Sequence, residues 1–302
     1  MSGPHITVVG GANTDIVGIP SGRYAARDSN PGHVRASAGG VARNVAENLA
    51  RLGAQVRLVT AFGSDADGDE LERSCSVVGI DTSHSIIASG VPGSRYLAVL
   101  DGAGDLAAAV NDMRALEALT PDMLDRAAFV GADAVVLDTN LHASTIARAV
   151  ELAGDAPVVL DPVSTAKSPA ALPVPDRVRA LKADLREAEA LSGAAGAAGA
   201  GQRLLEAGTR WVFVSLGPEG IWAGSAEESF VLPAERATVV NVTGAGDAFT
   251  AGIAWGIATG ATLRETARIA SGLAALTVES ERTVSDRVSA EGLRERTVQP
   301  CP

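Results

Sequence analysis

Val239-Val240-Asn241-Val242-Thr243-Gly244-Ala245-Gly246-Asp247-Ala248-Phe249-Thr250-Ala251 carries the reading of this chain. A short apolar run passes into Gly244-Ala245-Gly246, then one acid, then an Ala- and Gly-rich stretch able to form a helix. The first N–H groups of such a helix have no partner within it, and the macrodipole there favours negative charge. An acid at that mouth can take the proton of a hydroxyl attacking a bound phosphate. The motif fits phosphoryl transfer to an alcohol. It fits equally a strand–turn–helix joint with an acidic first turn, so the rest of the chain has to decide.

Outward from this stretch, strand-like and helix-like runs alternate. Residues 6–9 read as a strand before a Gly-rich turn, 41–52 as a helix stopped by Gly53, and 55–62 as the next strand. Runs at 134–137, 157–160 and 211–216 are strand-like, with helix-compatible stretches at 143–152 and 185–191 between them. Such alternation predicts an α/β fold with a doubly wound, mostly parallel sheet flanked by helices. Two segments break the pattern: residues 13–38 are rich in Gly, Pro, Asp and Asn, and 94–111 reads as a hairpin turning through 101–105. Together they predict a small β-layer, usable as a mobile cover, as a dimer contact, or as plain edge strands. Residues 193–201, with four glycines in nine residues, are expected to be a pliable surface connection rather than a helix.

The composition narrows the classes of function. At 302 residues, 46% hydrophobic and 20% charged, the chain suits one large globular domain spanning 1–302. Aromatic residues are only 3%, so small aliphatic side chains must fill the core. No apolar run reaches the roughly 18 residues of a membrane span, and no signal-peptide pattern precedes Ile6. Cys75 and Cys301 are too few and too far apart for a disulfide framework, which fits a cytoplasmic protein. A net charge of −11 argues against a nucleic-acid partner. Lysine occurs only at 167 and 182 against 23 arginines, which reads as composition bias.

Several nucleotide signatures are excluded. Neither lysine follows a glycine, as a P-loop requires, and Gly10-Gly11-Ala12-Asn13 lacks dinucleotide-fold spacing. The histidines at 5, 33, 84 and 142 form no zinc motif. A second glycine joint remains, Ser37-Ala38-Gly39-Gly40-Val41-Ala42-Arg43-Asn44, opening the helix at 41. Its glycines permit close backbone approach, and Asn44 can both donate to and accept from sugar hydroxyls. Asn13 and Asp15, two apart in extended chain, share a face where a carboxylate can accept from vicinal hydroxyls. Taken singly, each also reads as an Asx-turn or a helix cap.

The two glycine joints, in this order and at this distance, resemble the two signatures of the PfkB (ribokinase-like) family of sugar and nucleoside kinases. The likeness runs from Ile6 to about Ser285. Within the family the chain most resembles the pseudouridine kinases, through residues 10–15, 28–32, 39–44, 110–113 and 160–164. The resemblance implies a ribokinase-like fold with a small β-lid formed by parts of 13–38 and 94–111. It makes Asp247 the general base and Gly244, Ala245 and Gly246 the anion hole. Asn13, Asp15, Gly39, Gly40 and Asn44 would hold the sugar, with Tyr96 and Asn111 of the hairpin against the base. Ser215 and Gly217 would lie beside ATP, and residues 273–278 would border the adenine.

Two departures from the family stand out. Asp184 occupies the position of an Asn in the Asn-x-x-Glu motif, bringing extra charge near the ATP phosphates, while Glu187 can still organise water around Mg2+. Asn241 occupies a position where potassium-binding relatives often have Asp, and a neutral amide compensates K+ less well. The implied activity is transfer of phosphate from MgATP to the 5′-hydroxyl of a nucleoside, pseudouridine first, by a homodimer joined through the lid. The alternatives are ribokinase, adenosine kinase or inosine-guanosine kinase activity, and a catalytically silent nucleoside sensor.

Overall fold

The computed structural model describes residues 3–168 and 175–297. β1 (His5–Val9) is followed by β2 (Asn13–Pro20), β3 (Gly32–Gly39) and α1 (Val41–Leu52). Then come β4 (Gln55–Val59), β5 (Ala61–Gly63), α2 (Ala66–Val77), β6 (Ile86–Ala88), and the hairpin of β7 (Arg95–Leu100) and β8 (Leu106–Asp112). A single turn, α3 (Arg114–Glu117), leads to β9 (Ala134–Asp138), α4 (Ala143–Ala153) and β10 (Val158–Asp161). β11 (Ala180–Asp184), α5 (Leu185–Ser192), α6 (Ala197–Glu206), β12 (Trp211–Ser215), β13 (Ile221–Gly224) and β14 (Ser229–Leu232) follow. The C-terminal part is helical, with α7 (Ala245–Ala258), α8 (Leu263–Val278) and α9 (Ala290–Thr297).

Eight strands form the main sheet in the order β14-β13-β12-β11-β10-β9-β1-β4. The pairs from β4 through β12 are parallel, while β13 and β14 close one edge antiparallel. Alternate strand side chains feed two cores. Val9, Val135, Leu137 and Leu160 face α4, α5 and α6, while Ile6, Val8, Val136 and Val159 face α1, α7 and α8. Val45, Ala46, Leu49 and Leu52 give α1 its buried stripe, and Gly53 stops it in the left-handed conformation.

A separate four-stranded sheet, β3-β2-β7-β8, stands beside the main one. Its register sets Ser37, Asp15, Tyr96 and Asn111 in one row across the strands, on the face that also carries Asn13. The opposite face carries Ile16, Leu97 and Val110 in the next row, with Leu97 and Val110 exposed. Arg95, at the foot of β7, pairs with Asp65 and Asp67 of the main body, which fixes one end of this sheet.

Three expectations are corrected. Residues 55–62 do not form one strand: after Val59 the chain leaves the main sheet, and β5 pairs with β6 in a two-stranded sheet. Residues 193–201 are not all connection, because α6 begins at Ala197. Gly201 lies against Trp222, whose ring would stand 2.0 Å from a Cβ there, so tertiary packing overrides the poor helix propensity of glycine. The strand of the alternative strand–turn–helix reading does not form at 239–242. These residues run as an exposed loop whose Val240 and Asn241 N–H groups both donate to the Val278 carbonyl at the end of α8.

Candidate active site

The chain reverses direction through the sheet between β1 and β9, and open α/β sheets bind ligands at the carboxyl ends of strands at such a switch point. Asp138, Asp161, Asp184, Glu187 and Asp247 collect at that edge with both lysines of the sequence. Asp138 ends β9, Asp161 ends β10, and Lys182 lies on β11. Lys167, in the loop after β10, donates to the Asn140 side chain at 2.5 Å. Reading the two lysines as composition bias missed this convergence. Apolar runs that end in an acid, 134–137 before Asp138 and 157–160 before Asp161, were the available signal.

Asp138 is fully buried and serves the glycine joint at Gly39-Gly40. Its Oδ2 accepts from the Gly11 and Ala42 N–H groups (2.8 and 3.0 Å), and its Oδ1 accepts from the Asn140 N–H. Burial pushes its carboxyl up to about 6 despite these bonds. The Arg43 N–H donates to the Gly11 carbonyl at 3.2 Å. The second and third N–H groups of α1 are thus satisfied from within the protein.

The joint at Gly244–Asp247 differs. Gly244 has φ 83°, and a Cβ there would lie 2.1 Å from the Thr283 carbonyl oxygen, so only glycine fits the turn. The Ala245 N–H bends back to the Val242 carbonyl (3.3 Å). The Gly246 and Asp247 N–H groups, second and third in α7, have no protein acceptor among the described residues. Lys182 Nζ stands 3.1 Å from where a Cβ of Gly246 would be, adding a full positive charge to the helix N-terminus. Burial alone would lower the Lys182 ammonium, but Asp161, Glu187 and Asp247 outweigh it and hold it above its ordinary value. Asp161 accepts from Thr250 Oγ1 (2.6 Å) and pairs with Lys182 Nζ (3.3 Å).

Asp247 opens into this cradle. Its carboxyl is raised to about 7, by burial first and by the nearby Asp161 and Asp138, with the Asn44 amide and Lys182 holding it down. Asn44 Nδ2 donates to Asp247 Oδ2 at 2.8 Å, so the residue read as a sugar ligand also orients the acid. A carboxyl poised near neutrality, beside unpaired amides and an ammonium, can take a proton while an anion is held next to it.

The remaining site residues fall into three groups. Asn13 Nδ2 donates to Asp15 Oδ1 (2.6 Å), and Asp15 Oδ2 lies 2.1 Å from a Cβ built on Gly39, which ties the small sheet to the first glycine joint. Asp15 is raised by burial, partly offset by Asn13 and Arg43. Tyr96 and Asn111 continue the same row. Asp184 and Glu187 form a reciprocal capping box at the start of α5, with the Glu187 N–H on Asp184 Oδ1 and the Asp184 N–H on Glu187 Oε2. Ser215 pairs with Asp184 across β11 and β12, and Gly217 opens the turn beyond. Within 273–278, Leu273 and Leu276 are buried, while Ala274 and Val278 are partly exposed. No cluster of three or more His, Cys, Asp or Glu suited to a metal occurs among the described residues.

Residues 4–289 match the family described as pfkB family carbohydrate kinase. The chain belongs to that family. It is 33% identical over 288 residues to pseudouridine kinase of Escherichia coli K12, with 92% of each chain covered. A carbohydrate kinase from Agrobacterium tumefaciens superposes with a TM-score of 0.86 at 29% identity over 97% of each chain. The ribokinase of Arabidopsis thaliana, solved with ribose and ATP, shares the fold at 21% identity, with a TM-score of 0.84 over 99% of this chain and 100% of that one. The protein is a ribokinase-fold phosphotransferase acting on an alcohol group.

Proposed function

We propose that this kinase transfers the γ-phosphate of ATP to the 5′-hydroxyl of a nucleoside, pseudouridine first among them. The observation that carries the reading is Asp247, near neutral pKa, at the mouth of a helix whose Gly246 and Asp247 amides have no protein acceptor. Support for the acceptor comes from the row Asp15, Tyr96 and Asn111 facing the same side as Asn13, and from the identity with the E. coli pseudouridine kinase.

Asp247 takes the proton of the attacking hydroxyl as the new O–P bond forms. The bond between the γ-phosphorus and the bridging oxygen breaks, and ADP leaves with that oxygen. The Gly246 and Asp247 amides and the Lys182 ammonium stabilise the charge spread over the transferred phosphoryl group. The exposed Val239, Val240 and Val242 and the partly exposed Ala274 offer an apolar wall for the adenine. The acids of this edge, with Glu187 foremost, suit a Mg2+ that keeps most of its waters, as MgATP sites do. Held there, such an ion would supply positive charge against the phosphates of ATP. The small sheet acts as a lid that excludes water over the sugar. Its outer apolar row (Ile16, Leu97 and Val110) fits a lid-to-lid homodimer working in the cytoplasm.

A panel of pseudouridine, uridine, adenosine, inosine, guanosine and ribose with MgATP tests the reading. Pseudouridine is expected to give the highest kcat/KM. Ribose or adenosine turnover without pseudouridine turnover would replace the acceptor and leave the kinase chemistry intact. Nucleoside binding with no ADP release from any acceptor would make the chain a silent sensor.

A further inference from the structure

We infer that the Asn241 side chain fastens the phosphate-cradle loop where a cation would otherwise be needed, so that this kinase works without K+. The inference rests on the kinase reading above. The loop ahead of α7 lies along the segment that follows α8. Val240 and Asn241 N–H groups donate to the Val278 carbonyl (2.7 and 3.2 Å), and Gly244 packs on the Thr283 carbonyl. Asn241 closes the gap between these contacts. Its Oδ1 accepts the Thr243 N–H at 3.0 Å, and its Nδ2 donates to the Glu281 carbonyl at 3.2 Å.

Those two partners fix the orientation of the amide, because a backbone N–H can only donate and a carbonyl can only accept. The positive NH2 end therefore lies on the carbonyl that a cation would have to share with residue 241. Oδ1, the remaining oxygen, already serves the turn into Gly244. A potassium ion needs several oxygens turned toward it, and here one is covered by a donor and another is engaged. The residues present do not fit the ion. An aspartate at 241 could still accept from Thr243, but it would set a carboxylate against the Glu281 carbonyl, a repulsion that a cation relieves. A neutral amide makes the same link with a hydrogen bond, and three residues further on stands Gly244.

The test measures the full chain in K+, Na+ and tetramethylammonium at matched ionic strength, by nucleoside-kinase turnover and by thermal melting without substrates. Wild-type kcat is expected to agree within about twofold in the three salts, and its Tm to be unmoved by K+ against Na+. Asn241→Asp is expected to fall about tenfold in tetramethylammonium, to recover in K+, and to melt higher in K+, as a ligand bound only by the folded state requires. Asn241→Ala is expected to lose turnover equally in all three salts. Wild-type kcat rising severalfold with K+, a wild-type Tm raised by K+, or an aspartate variant indifferent to the cation would overturn the inference. Absence of turnover with every acceptor in every salt would instead sink the kinase reading, and the melting series would still decide the role of Asn241.

Discussion

Two glycine joints open helices at the same edge of the sheet, and they differ in the second and third N–H groups of the helix. At α1, Asp138 takes the Ala42 and Gly11 N–H groups and the Gly11 carbonyl takes that of Arg43. At α7, the Gly246 and Asp247 amides find no such partner, and a lysine is added beside them. A fixed carboxylate makes the first joint part of the scaffold, with its dipole already answered inside the protein. The second leaves its dipole and its charge unanswered among the described residues. The two glycine joints thus differ in how their helix amides are satisfied, according to what the neighbouring strand ends supply.

The sharpest way to break that contrast is Asp247→Asn. Its kcat should fall about 10²–10⁴-fold, the usual range for a general base, while calorimetry finds ATP and nucleoside binding retained. A near-wild-type rate would remove Asp247 from the chemistry. Removing the charge at the other end of the cradle comes next. Lys182→Met leaves Asp161 buried without its partner, which should cost about 3–5 kcal/mol in urea unfolding and most of the turnover. Full turnover with weakened stability would confine Lys182 to the scaffold.

Asp138→Ala probes the first joint and should behave differently. Two buried N–H groups and one part-buried one lose their acceptor, so a loss of about 3 kcal/mol in unfolding free energy is expected. The surviving folded enzyme should lose less kcat than Asp247→Asn. If the Asp138 variant instead loses the larger share of kcat with its stability intact, the roles of the two joints are reversed.

How much of this was legible before the structure depends on distance along the chain. Local signals sufficed where the cause is local: Gly40 and Gly53 bracket α1, the hairpin turns through 101–105, and Asn13 and Asp15 share a face because strands alternate. They failed where the cause is the stacking of parallel strands. Asp138, Asp161 and Lys182 are 44 residues apart from first to last, and only the order β9-β10-β11 sets them side by side. The α6 start failed for a related reason, since Trp222 on β13 decides that Gly201 is helical. Asp184 and Glu187, read for their charge, are joined by backbone hydrogen bonds that spacing alone would also have predicted as a capping box.

Asn44→Ala gives the smallest expected effect and joins the two glycine sites, since Asn44 sits on α1 and bonds the acid on α7. Asp247 must be ionised to accept a proton, so kcat/KM for the nucleoside should rise with pH and level off above about 7. The Asn44 N–H favours the ionised form, and without it the limb should move to higher pH by up to about one unit. Activity would then fall up to about tenfold below neutrality and change little well above it. Stability follows the same carboxyl with a fixed sign. Its folded pKa lies above the ordinary carboxylate value of 3.8, so the native state holds a proton that the unfolded chain has released. The stability linked to that proton is complete below the ordinary carboxylate range and is lost as pH climbs through about 7. Asn44→Ala should extend that loss to higher pH, and Asp247→Asn should abolish it. A limb and a stability slope that both stay in place would mean that Asn44 does not set the charge of the base, leaving the two joints energetically independent.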